Sequence, residues 1–100
     1  MQDLRKRAGG NRKRRRLRME LEQGRDGGPL KAVEVLTRAD ELLALGETLR
    51  SLRALDVKAP RRPRLDDEAV ELIRETQRVY GFDPRAWKLL GVDLNRIDAR

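Results

Sequence analysis

The chain has no cysteine, no histidine and only three aromatic residues, Tyr80, Phe82 and Trp87. Without cysteine there is no disulfide, no thiol nucleophile and no thiolate zinc site. Without histidine the usual metal ligand and the usual general base near neutral pH are missing too. No apolar run approaches the ~20 residues that span a bilayer, and no apolar segment follows the charged N-terminus as a secretory signal would require. A cytoplasmic protein, in the host cytoplasm if viral, is the expectation. No nucleophile and base can be paired, and no phosphate-cradling glycine loop runs into Lys and Ser or Thr. These gaps argue against an enzyme, a cofactor or a metal centre. A chain of 100 residues with so few aromatics builds one small domain on a thin core, and such domains often depend on oligomerisation.

What is present is charge, and it is segregated. Residues 1–25 hold ten Lys or Arg against three Asp or Glu, so the net charge of +7 lies wholly in this quarter, while the remainder is balanced. Residues 1–28 therefore read as a basic N-terminal arm and residues 29–100 as a small helical domain. In the arm, Leu17, Met19 and Leu21 alternate instead of following a helical period. The arm is expected to be mostly disordered when free, with a short helix over 11–23 forming if phosphates neutralise its arginines. Dense like charge suits a polyanion. The candidate phosphate contacts are Arg5, Lys6, Arg7, Arg12, Lys13, Arg14, Arg15, Arg16 and Arg18, acting through counterion release. A solvated, self-repelling tail is the competing reading.

The rest of the chain reads as all-α, in the order long helix, helix, short helix. From Pro29 to about residue 56, Val35, Ala39, Leu42, Leu45, Leu49 and Leu52 recur at steps of three and four. Gly46 interrupts them and marks a kink or a division in two. Leu42, Leu45, Leu49 and Leu52 are candidate interface residues for a homo-oligomer, unless they pack on the next helix of the same chain. Pro60 and Pro63 make residues 57–64 a linker, and its Arg61, Arg62 and Arg64 are further candidate phosphate contacts. Asp66 then caps a helix over 65–80 whose apolar face is Ala69, Leu72, Ile73, Thr76, Val79 and Tyr80. Acids in its first half and bases in its second complement the helix dipole, which explains them better than a metal site does. Gly81 ends the helix. Asp83 and Pro84 open a short helix over 84–90, stapled by Phe82 and Trp87. Val92, Leu94 and Ile97 give one more turn capped at Asp93 or a packed tail.

The corner Tyr80-Gly81-Phe82 has the packing pattern of a helix-turn-helix. Against that, Gln77 stands where a small residue is usual, and the second helix has barely two turns and offers only Arg85 and Lys88. The stretch Val79-Tyr80-Gly81-Phe82-Asp83-Pro84 followed by Leu89-Leu90-Gly91, behind a basic segment and a leucine-rich helix, resembles the C-terminal part of tailed-phage terminase small subunits. The resemblance implies an oligomeric DNA-binding subunit of a DNA-packaging motor, partnered by a large ATPase subunit. Non-catalytic binding of nucleic acid, with DNA favoured over RNA, is the leading expectation. An RNA-associated ribosomal or ribonucleoprotein component with an RNA-threading arm, and a structural or protein-interaction module of a virion, are the alternatives.

Overall fold

The computed structural model describes residues 2–24, 28–62 and 64–98, with side chains from residue 11 to 97. Within them the chain is all-α: α1 (Gln2–Gln23), α2 (Ala32–Ala44), α3 (Leu49–Arg53), α4 (Asp67–Tyr80), α5 (Pro84–Leu89) and α6 (Leu94–Asp98). No described residue belongs to a strand, and no described helix is long and apolar enough to cross a membrane.

The first departure from expectation is α1. The arm is one helix of 22 residues, roughly 33 Å long at 1.5 Å per residue. Leu17 and Leu21 lie one helical turn apart and are both buried, while Met19 between them points outward. The alternation in sequence is thus a one-turn repeat with a solvent-facing residue inside it. The C-terminal end of α1 is tied down twice. Gly24 takes a left-handed conformation, and its N–H donates to the Glu20 carbonyl at 2.9 Å. The Leu21 carbonyl, an orphan at a helix end, accepts the Lys58 N–H at 2.8 Å, and the Lys58 carbonyl accepts the Leu30 N–H at 2.8 Å. The linker is therefore a clasp across both ends of the loop after α1.

The long leucine-rich segment is two helices. α2 begins at Ala32, where the Glu34 carboxylate accepts the Lys31 N–H at 2.9 Å. It stops at Leu45, and Gly46 follows at φ 102°, a conformation other residues rarely adopt. Thr48 and Ser51 then cap α3 reciprocally, each side-chain oxygen accepting the other's N–H at 3.0 Å. Gly46 thus divides the segment, and the domain carries α2, α3, α4, α5 and α6 where the sequence suggested three helices.

α2 is the centre of the core: Val35, Leu36, Ala39 and Leu42 have no accessible surface, and α2 packs against α1 on one side and α5 on the other, with α3 also on α5. The corner after α4 is as its caps predict. The Asp66 carboxylate accepts the Ala69 N–H at 2.8 Å, Gly81 is left-handed, and Phe82 and Trp87 are buried. Asp83 caps α5, and Asp93 accepts the Asn95 N–H at 3.0 Å before α6. The face of α4 is rotated from its expected setting. Val70 and Ile73 enter the core, while Leu72, Val79 and Tyr80 stand in solvent.

Candidate nucleic-acid interface

α1 carries Arg12, Arg15 and Arg16 on the side away from Leu17 and Leu21, with Lys13 and Arg18 at the borders of the packed side. Arg12, Lys13, Arg15, Arg16 and Arg18 are exposed. Several already have carboxylate neighbours: Lys13 lies 3.7 Å from Glu41, Arg18 3.8 Å from Glu47 and Arg16 4.0 Å from Glu20. The exposed pairs of Lys13 and Arg16 contribute about 0–1 kcal/mol, so a phosphate can replace the carboxylate there at little cost, whereas the Glu47 side chain is mostly buried and is shared with Arg14. Arg12 and Arg15 have no carboxylate partner among the described residues. Arg14 differs from the others. It is half-buried, donates to the Leu45 carbonyl at the end of α2, and lies 3.7 Å from Glu47. It caps α2 and braces α1 against it, so its guanidinium belongs to the fold. The backbone of α1 carries Arg5, Lys6 and Arg7 on the same helix; their side chains lie outside those described.

The linker arginines diverge. Arg61 sits at the edge of an apolar groove beside α4, Arg62 lies over Gly91 next to α5, and Arg64 is exposed. The three do not form one strip with α1.

The four candidate interface leucines belong to the chain's own interior. Leu42 and Leu52 have no accessible surface, and Leu45 and Leu49 are half-buried. The exposed apolar surface is instead on α4, where Leu72 is 68% and Val79 67% accessible. A signal for it was present in the sequence, since Leu65, Ala69, Leu72, Thr76 and Val79 step by four and three. The interior face lies about 100° further round the same helix, which period alone does not distinguish.

The corner between α4 and α5 is built for packing. The Gln77 amide donates to the Phe82 carbonyl at 2.8 Å and accepts the Trp87 indole N–H at 2.7 Å. Asp40 of α2 accepts the Asp83 N–H at 2.7 Å. With Ala86 and Trp87 buried, α5 has no long face with which to read a groove. The Asp83 carboxylate accepts from the Arg85 side chain at 2.8 Å and from its N–H at 2.9 Å. Those hydrogen bonds hold the Asp83 carboxyl below its usual range. Among the described residues, no group of three or more acids converges as a metal ion would need. The site that emerges is a cationic helix whose inner borders are paired with Glu41 of α2 and Glu47 of the loop after it. No family model, curated protein or solved structure matches the chain.

Proposed function

We propose that the protein is a non-catalytic nucleic-acid-binding protein, with DNA favoured, that works as an oligomer. The observation that carries this reading is the confinement of the whole charge excess to residues 1–25, together with the solvent-facing row of Arg12, Lys13, Arg15, Arg16 and Arg18 on α1. A rigid helix holds these cations at fixed spacing, and arginine forks suit phosphate oxygens. Support for the oligomer is the unpartnered apolar face of α4. In its most concrete form the protein is the small subunit of a phage DNA-packaging terminase that engages a large ATPase subunit. That form rests on the sequence of the Val79–Pro84 corner.

The test is affinity for a labelled DNA duplex and a structured RNA over a salt series. Deleting the arm is unsuitable, because it would remove Leu17 and Leu21 from the core. Arg12→Gln/Arg15→Gln/Arg16→Gln/Arg18→Gln keeps the core and removes the charge. For the intact chain, log affinity should fall linearly with log salt, at roughly 0.9 per phosphate contact on duplex DNA. The variant with four substitutions should lose up to about 3.6 of that slope. A slope unchanged in the variant would remove α1 from the interface. Tighter binding of structured RNA at equal salt would transfer the reading to RNA.

A further inference from the structure

An excess of positive charge also gathers far along the chain from α1. Arg53 at the end of α3, Arg62 in the linker and Lys88 in α5 line one pocket of about 270 Å³. The pocket shares Arg53, Arg62, Lys88 and Gly91 with a groove of about 550 Å³ whose other lining includes Leu55 and Leu89. All three cations are exposed, and none has a carboxylate partner among the described residues. That separates them from Lys13, Arg14, Arg18 and Arg38, each of which faces a glutamate. One carboxylate, Asp93, lines the pocket with them and accepts the Asn95 N–H at 3.0 Å, leaving three cations against one acid, while Asp56 in the wider groove lies 3.4 Å from Lys58. Arg85, the other cation of the α4–α5 corner, is held by Asp83.

The position of Arg62 depends on a glycine. Gly91 ends α5 at φ 78°, and a Cβ there would lie 2.2 Å from Arg62 Nε. The missing side chain leaves the space that the Arg62 side chain occupies. Like charges drawn from separate elements around one small pocket repel one another, and a bound anion turns that cost into attraction. Two arginine forks and an ammonium suit a phosphate, while the apolar wall beside them suits the sugar attached to it.

We propose that Arg53, Arg62 and Lys88 form a second phosphate site for a nucleic-acid backbone, distinct from the face of α1. The inference rests on the nucleic-acid reading above. It goes further by giving each chain two separate phosphate-holding surfaces that share no lining residue, so that one chain can hold two segments of duplex together.

The test compares the intact chain with Arg53→Gln/Arg62→Gln/Lys88→Gln and with Lys88→Gln alone, each checked for native helix content. Two readouts are used: the salt slope on one duplex, and energy transfer between two differently labelled duplexes. In the Leu72→Ser/Val79→Ser background, where each complex holds one copy of α1, the triple variant should lose the energy transfer while still binding one duplex through α1. Each lost contact should lower the slope by about 0.9, or roughly three-fold in the affinity change between about 50 and 200 mM salt. Unchanged slope and unchanged transfer in both variants overturn the second site. Binding of no duplex by the intact chain overturns the nucleic-acid reading itself. The source of the phosphate is settled by titrating inorganic phosphate and ATP and following the Lys88 resonances. Shifts with these but none with duplex would make the pocket a small-anion site and overturn the backbone assignment.

Discussion

Gln77 is the residue on which the α4–α5 corner turns. From sequence it looked out of place, a bulky polar side chain where a helix-turn-helix carries a small one. In the fold its amide satisfies two groups that burial would otherwise leave stranded, the Trp87 indole N–H at 2.7 Å and the Phe82 carbonyl at 2.8 Å. Both partners belong to buried residues, so water is poorly placed to substitute. Gln77→Leu keeps the bulk and removes both bonds. An unsatisfied buried polar group costs about 1–3 kcal/mol, and the variant should lose stability on that scale in urea unfolding followed by Trp87 emission. A variant as stable as the parent would mean that solvent reaches the corner after all. The requirement was hidden in the sequence because it joins side chains on two helices around a turn, and no local pattern records such a pairing.

At the level of elements, what was legible and what was not divide along the same line. The caps of α4 and α5 are local chemistry, so Asp66, Gly81 and the Asp83-Pro84 pair could be read directly. Gly46 was visible as an interruption, and its φ of 102° makes it a division between α2 and α3. α1 was illegible because its docking depends on groups distant in sequence: the Lys58 N–H on the Leu21 carbonyl, and Glu41 and Glu47 beside Lys13, Arg14 and Arg18. A basic segment with two useful leucines looks like a tail until those partners are known. α1 is therefore part of the folded unit, and Leu21→Ala tests this. Removing a fully buried leucine side chain costs about 2–5 kcal/mol, whereas Met19→Ala on the outer face should stay within about 0.5 kcal/mol. Equal and negligible effects in thermal or urea unfolding would show that α1 is a detachable arm.

For the molecule as a whole, the face of α4 is the outstanding feature. Val70 and Ile73 face the core, while Leu72 and Val79 stand in solvent on the face that also carries Leu65, Ala69 and Thr76. Their four-and-three spacing is that of a coiled-coil seam. Beside them runs an apolar groove of about 360 Å³ with Val33 and Leu36 on its far wall. The oligomer proposed above would use this face if a second copy set its α4 antiparallel, which would place Leu72 opposite Leu72 across a two-fold axis, as an isologous contact requires. Charge favours that direction. The acids Asp66, Asp67, Glu68 and Glu71 approach the half of the partner helix that carries Arg74 and Arg78, whereas a parallel pair would set acid on acid. Leu72→Ser/Val79→Ser leaves the net charge and the core residues untouched. It should convert a dimer into a monomer in sedimentation equilibrium, with helix content unchanged. If the dimer is also the unit that grips DNA, each complex brings two copies of α1. The monomeric variant should then bind with a salt slope about half that of the parent, although no cation has been removed. A parent that sediments as a monomer would discard the α4 pairing. A dimer unaffected by the two serines would place the interface on another face.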